Sequence, residues 1–148
     1  GSVREAAILQ VKLVCAACRQ RGTLGVYANG TVYQPEFYLN ASQPMEDGEL
    51  PLLDLVWMGL YRREEGLCGS LTACGLGKEE IEVLDTQAAP GDLHSFLLDL
   101  ASYVLEEDVT FHDGETIGFT EGQYLPISRS AGVWHDGMTL KISYPEEP

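Results

Sequence analysis

The chain has 148 residues, 45% of them apolar and 22% charged, a composition typical of a folded globular protein. Nine basic residues stand against 23 acidic ones, so the formal net charge is −14. A field of this sign repels phosphate and therefore argues against nucleic acid and anionic membranes as partners. Solubility alone explains such a charge in most acidic domains, and attraction to a basic protein partner is the alternative explanation.

The length predicts one domain over residues 1–148. Gly1-Ser2, without an initiator Met, is interpreted as an expression scar, and residues 145–148 as a polar tail. No apolar run reaches the length of a membrane span.

The first part of the chain predicts a helix, a hairpin and a loop. Residues 4–21 are apolar almost all round, which is typical of a helix enclosed in a core, and Gly22 provides its stop. Two short β-rich runs flank Asn29-Gly30, a dipeptide that favours a tight hairpin turn. Pro35 opens a short helix through Leu39. Residues 40–51 are rich in turn residues and predict a long loop that could act as a lid.

The middle of the chain predicts three antiparallel strands followed by the main helix. The strands are expected in the second half of 52–62, at 71–76 and at 81–85. The helix is expected over 92–107, because its apolar residues recur at helical spacing and form one continuous face. These residues are Leu93, Phe96, Leu97, Leu100, Ala101, Val104 and Leu105.

Short β-rich runs follow at 109–111, 115–120, 125–129 and 139–144. The sequence therefore predicts an α+β fold, with a mainly antiparallel sheet and two principal helices, 4–21 and 92–107, packed on it.

The cysteines include a Cys-x-x-Cys motif, Cys15 to Cys18, which could form a redox or a metal site. A redox Cys-x-x-Cys pair works at a helix N-terminus, whereas Cys15 and Cys18 fall near the C-terminal end of the predicted helix. Cys68 and Cys74 are spaced too loosely for the second pair of a zinc site. We therefore expect buried, reduced thiols in a cytoplasmic protein and no metal site.

Two further groups of side chains could take part in catalysis. The pairs His112-Asp113 and His135-Asp136 lie beside glycines at turns, and with His94 they are expected to be solvated rather than to bind a metal. Glu79, Glu80, Glu82 and Asp85 could form a carboxylate cluster. Strand alternation instead places Glu80 and Glu82 on a solvated face, opposite Ile81 and Val83.

The remaining candidates are serines and aromatics. Ser128 and Ser130 lack the glycine context of a serine nucleophile. The scattered large aromatics are expected to pack in the core, although they could line a pocket: Trp57, Tyr61, Tyr103, Tyr124 and Trp134. No catalytic, cofactor-binding or metal-binding residue is therefore assigned.

Several runs of the chain are similar to blocks of one known family. The first is Leu-Thr-Ala-Cys-Gly-Leu-Gly-Lys-Glu-Glu-Ile-Glu at 71–82, and the second is Ala-Ser-Tyr-Val-Leu at 101–105. Asp-Gly-Glu-Thr-Ile-Gly-Phe at 113–119, Leu-Pro-Ile at 125–127 and Gly-Met-Thr-Leu-Lys-Ile at 137–142 follow. Together these runs resemble the bacterial family called "domain of unknown function 4261". The resemblance covers about 56–144 and implies a fold but no catalytic residues.

Two principal functions are consistent with these observations. The first is a non-enzymatic cytoplasmic binding or regulatory domain that recognises a basic protein, as toxin-neutralising immunity proteins do. The second is a small hydrolase or ligand-binding enzyme, with an acidic and histidine-containing pocket under the 40–51 loop. A metal-binding module is a third hypothesis, which metal content would test.

Overall fold

The fold is described by a computed structural model covering residues 3–28, 31–73 and 76–145. The chain divides into two units: residues Gly1–Trp57 with Ala73–Lys78, and residues Met58–Thr72 with Glu79–Pro148. We call them the first and the second unit and describe each by itself. The prediction of a single domain stays a prediction. Within the described part of the chain, no helix is both long and apolar enough to cross a membrane.

The described residues of the first unit form three α-helices, a 3-10 helix and two paired strands. Helices α1, α2 and α3 pack on one another, and β1 pairs antiparallel with β2. The predicted Asn29-Gly30 turn lies outside the described residues. The elements are α1 (Val3–Cys18), β1 (Val26–Ala28), β2 (Thr31–Tyr33), α2 (Pro35–Ala41), the 3-10 helix (Gln43–Asp47) and α3 (Leu52–Leu55).

Two predictions for the first unit are wrong. Helix α1 is not enclosed all round, because Leu9 and Leu13 are 57% and 63% exposed and only its Val11–Cys15–Cys18 side is buried. The predicted loop 40–51 is largely helical. Helix α2 extends to Ala41, and a 3-10 helix follows that ends where Gly48 adopts φ 77°. Pro44 is the second residue of this 3-10 helix, and its fixed φ is compatible with the first turn.

The second unit is built on a six-stranded sheet with the order β3-β4-β5-β8-β7-β6. Pairs β4–β5, β7–β8 and β6–β7 are antiparallel, whereas β5 and β8 are parallel. The parallel pair is possible because α4, β6 and β7 form a long connection between its strands. The elements are β3 (Trp57–Arg62), β4 (Leu67–Thr72), β5 (Ile81–Thr86), α4 (Pro90–Glu106), β6 (Thr116–Ile117), β7 (Leu125–Ala131) and β8 (Met138–Ile142).

Helix α4 packs on β4, and its predicted apolar face is confirmed in full: all seven residues are buried. Gly69 allows the close approach, because a Cβ atom there would lie 2.8 Å from Cδ1 of Leu97. The α+β class and the mainly antiparallel sheet are also confirmed.

Three strand predictions are wrong in position or extent. The strand predicted at 71–76 is β4 at Leu67–Thr72, and 109–111 is not a strand. The strand predicted at 115–120 is reduced to Thr116–Ile117. The chain leaves the sheet after Ile117 and forms a turn at 120–123. In this turn the backbone N–H of Gln123 donates to the carbonyl of Thr120.

Candidate functional site

The central strands of the second unit have one apolar and one polar face. Gly69, the residue that α4 approaches, pairs with Val83 across β4 and β5. Paired residues share a face, so Leu71, Ile81, Val83, Leu140 and Ile142 lie on the side of α4. The other face carries polar residues from the same strands: Ser70, Thr72, Glu80, Glu82, Thr139 and Lys141.

A loop of residues 132–137, here called the covering loop, closes over this polar face. It is tied at its base by a hydrogen bond from the Gly132 N–H to the Gly137 carbonyl, 2.7 Å long. The Trp134 ring stacks on Tyr61 of β3, with ring centroids 4.9 Å apart. The indole nevertheless remains 57% exposed, so it lies at the surface and not in the core as predicted.

Glu82 is the anchor of the covering loop and is completely buried. Its carboxylate accepts hydrogen bonds from the N–H groups of Val133 (3.0 Å) and Trp134 (2.7 Å) and from the Thr139 hydroxyl (2.5 Å). The Lys141 ammonium lies 3.3 Å away. The prediction that Glu82 is solvated is therefore wrong, although the predicted alternation with Ile81 and Val83 is confirmed.

These donors determine the charge state of Glu82. Burial by itself would raise the pKa of the carboxyl, because water no longer solvates the anion. The hydrogen bonds from Thr139, the two backbone N–H groups and Lys141 outweigh burial and lower the pKa to about 2. The side chain is therefore an anion at neutral pH and acts as an internal acceptor for the loop.

His135 joins the covering loop to two strands. Its Nε2 is hydrogen-bonded to the Ser70 hydroxyl, with the Thr72 hydroxyl at 3.4 Å, and its Nδ1 lies 3.3 Å from a Glu80 carboxylate oxygen. The prediction of solvated turn histidines is therefore wrong for His135, whose side chain is 15% exposed. His94 and His112 are exposed.

The connectivity serine–histidine–carboxylate matches that of a catalytic triad. Two features oppose catalysis in this conformation. Ser70 has no exposed surface, and the nearby N–H groups of Val133 and Trp134 already donate to Glu82 instead of facing an open oxyanion position. The arrangement therefore holds the covering loop on the sheet.

A groove beside α4 offers a different kind of site. Its cavity of about 270 Å³ is lined by α4, by Phe119, Thr120 and Gln123, and by Tyr144 and Pro145. Phe96 forms its floor and makes edge-to-face contacts with Phe119 (6.0 Å) and Tyr144 (5.3 Å). The carboxylates of Asp92 and Asp99 lie on its helical side. We call this the proximal cavity, because it lies at the N-terminal half of α4.

The electrostatics of the proximal cavity suit a cation. Asp92 and Asp99 are exposed, and neither forms an ion pair with a described residue. The described lining contains no lysine or arginine. Aromatic rings attract a cation to their faces, and carboxylates attract it by charge, so the two kinds of group favour the same ligand.

The charge of the chain is unevenly divided between the units. The first unit has six acidic and five basic residues, a formal charge of −1. The second has 17 acidic and four basic residues, a formal charge of −13. Three of those four basic side chains lie near carboxylates: Arg129 at Glu79, Arg63 at Asp85 and Lys141 at Glu82.

The cysteines and a buried carboxylate meet in the first unit. Cys15 and Cys18 are free and buried in the last turn of α1, the predicted position, and burial raises the pKa of the Cys18 thiol, with Cys15 and Asp54 adding to it. Burial also raises the pKa of Asp54 to about 7. Cys74 lies outside the described residues. Among those described, no group of three or more His, Cys, Asp or Glu residues is placed to hold a metal ion.

Sequence reasoning missed both the Ser70–His135–Glu80 chain and the proximal cavity. The predicted strand 71–76 begins after Ser70, so the sequence does not indicate that Ser70 lies opposite Glu82 on a strand. The cavity joins segments about 25 and 50 residues apart in sequence, and no local pattern indicates such a meeting. Tyr124 is also exposed, not in the core as predicted.

The class of protein defined by this architecture is an α+β domain with one helix-covered sheet. Residues 74–143 match the model of the family described as "Domain of unknown function (DUF4261)", which confirms the resemblance for that segment. No curated protein and no solved structure matches the chain significantly.

Proposed function

We propose that the protein is a non-enzymatic binding domain that recognises a basic protein partner through the groove beside α4. The observation that carries the proposal is the proximal cavity, where Asp92 and Asp99 stand beside the rings of Phe96, Phe119 and Tyr144. Its volume of about 270 Å³ has room for a lysine or arginine side chain. A lysine or arginine of the partner would place its cation between the rings and the two carboxylates.

The charge division supports the same proposal. A formal charge of −13 on the second unit attracts a basic partner at long range and raises the rate of encounter. The same field disfavours nucleic acid and anionic membranes. In this proposal the domain binds and inhibits a basic protein, as immunity proteins neutralise toxins. The free thiols of Cys15, Cys18 and Cys68 support a reducing, cytoplasmic location.

The proposal is tested with a lysine-rich peptide and its glutamine counterpart as probes. We expect the lysine peptide to bind, and the D92N/D99N variant to weaken binding about 5-fold, since exposed ion pairs contribute about 0.5 kcal/mol each. The matched control is E64Q/E65Q, which removes the same two charges from the exposed β3–β4 turn of the same unit. Isothermal titration calorimetry at low and at physiological salt measures the affinity of each peptide for the wild type and for the two variants.

Two results would contradict the proposal. If the lysine peptide does not bind at low salt, no cation site exists on this protein. If D92N/D99N and E64Q/E65Q weaken binding equally, the attraction comes from net charge alone, and the proximal cavity is not the site.

A small hydrolase is the second candidate, favoured by the connectivity of Ser70, His135 and Glu80. The sequence predicts this enzyme's pocket under residues 40–51, which belong to the first unit. Ser70, His135 and Glu80 all belong to the second unit. A fluorophosphonate reagent tests this candidate directly, because such reagents label activated serines. We expect no labelling of the wild type, since Ser70 is fully buried. Labelling that disappears in S70A would instead establish an active serine.

A further inference from the structure

A second cavity lies further along the same helix. It measures about 330 Å³ and is lined by Tyr103 of α4, by 109–111 and by 115–118. We call it the distal cavity. Tyr103 stacks on Phe111 with ring centroids 6.0 Å apart, and Glu115 supplies an exposed carboxylate. Its chemistry therefore repeats that of the proximal cavity, aromatic surface beside an acid.

The two cavities are neighbours in the chain and along the helix. Gly118 lines the distal cavity and the next residue, Phe119, lines the proximal one, so one short segment contributes to both cavities. On α4, Asp99 and Tyr103 are one turn apart, and the centres of the two linings differ by about 7 residues, or about 11 Å along the helix axis. The described lining of the distal cavity also contains no lysine or arginine.

We propose that the partner presents a basic segment with two cationic side chains, one entering the proximal and the other the distal cavity. This inference rests on the proposed function. In an extended segment, residues four positions apart point to the same side and lie about 13 Å apart. Flexible lysine or arginine side chains absorb the difference from the spacing of the cavities. The charge complementarity of two acidic, aromatic-lined cavities identifies the occupant as a basic polypeptide.

Two synthetic peptides test the inference: Lys-Ser-Ser-Ser-Lys and Lys-Ser-Ser-Ser-Gln, both with blocked ends. Linked cations bind with an effective-concentration advantage, so we expect the first peptide to bind about 5- to 10-fold more tightly than the second. The E115Q variant should reduce this advantage to about the 2-fold that two equivalent ends give statistically. E121Q, which removes an exposed carboxylate that lines neither cavity, is the matched control and should leave the advantage unchanged.

The outcomes separate the inference from the proposed function. If both peptides bind equally and E115Q has no effect, while D92N/D99N still weakens binding more than E64Q/E65Q, the two-cation segment is refuted and the proximal site stands. If neither peptide binds to the wild type, the proposed function fails with it. If E121Q abolishes the advantage as completely as E115Q, the distal cavity is not responsible.

Discussion

Two buried carboxylates, one in each unit, respond to burial in opposite ways. Asp54 in the first unit is 4% exposed, and desolvation raises its pKa to about 7. Glu82 in the second unit is 0% exposed, yet its pKa is lowered to about 2. Burial disfavours both anions, and in Glu82 hydrogen-bond donors outweigh it. Glu82 receives two backbone N–H groups, a hydroxyl and an ammonium, and these replace the water that it loses.

The comparison shows that a buried charge can organise structure in one unit and oppose it in the other. The Glu82 carboxylate is the shared acceptor for Val133 and Trp134 of the covering loop and for Thr139 of β8. Asp54, in contrast, favours its neutral form in the folded state. The chain has only two tryptophans: Trp57, where the first unit ends and β3 begins, three residues after Asp54, and Trp134 in the covering loop, whose N–H donates to Glu82. Each can therefore serve as a fluorescent reporter close to one of the two carboxylates.

The largest expected effect comes from E82Q. The amide keeps the size of the side chain, but its NH₂ group faces donors and its remaining oxygen is uncharged, so buried donors lose their acceptor. We expect the free energy of unfolding of the second unit to fall by about 2–4 kcal/mol at pH 7. Urea unfolding followed by Trp134 fluorescence, in a W57F background, measures it.

The pH dependence of that loss has a definite sign. A folded pKa of about 2, below the ordinary 4.5, means that Glu82 contributes stability above pH 4.5 and loses it as the pH falls towards 2. The difference between wild type and E82Q should therefore shrink on acidification. E121Q, at an exposed position, should change stability by less than about 0.5 kcal/mol. An E82Q effect as small as that of E121Q would refute the role given to Glu82.

The environments of the two carboxylates also show what the sequence could reveal. The periodic apolar residues of α4 predicted its buried face completely, because helical spacing is a local property. The alternation in β5 likewise predicted that Glu82 lies opposite Ile81 and Val83. It could not predict that Glu82 is buried, because the covering loop lies more than 50 residues away in sequence.

Strand β4 was misplaced for a similar physical reason. Gly69 and Ser70 are typical turn residues, so the local pattern put the strand after them. In the structure both residues belong to β4, where Gly69 pairs with Val83 and Ser70 with Glu82. Position 69 is a glycine because α4 leaves no room for a Cβ atom there. The pairing and the close approach are both tertiary contacts. The candidate cavities depend on contacts of the same kind and could not be predicted from the chain alone.

The smaller expected effect comes from D54N in the first unit. A folded pKa of about 7, above the ordinary 3.8, means that the contribution of Asp54 to the stability of the first unit is greatest below pH 3.8. This contribution declines as the pH rises to about 7. An asparagine cannot ionise, so the variant should match the wild type near pH 4 and exceed its free energy of unfolding by about 1–3 kcal/mol at pH 8. Urea unfolding followed by Trp57 fluorescence, in a W134F background, measures the difference at the two pH values. D47N, at an exposed position of the same unit, should show no such pH-dependent gain. If D54N destabilises the unit equally at both pH values, ionisation of Asp54 does not lower the stability of the first unit, and the contrast with Glu82 does not hold.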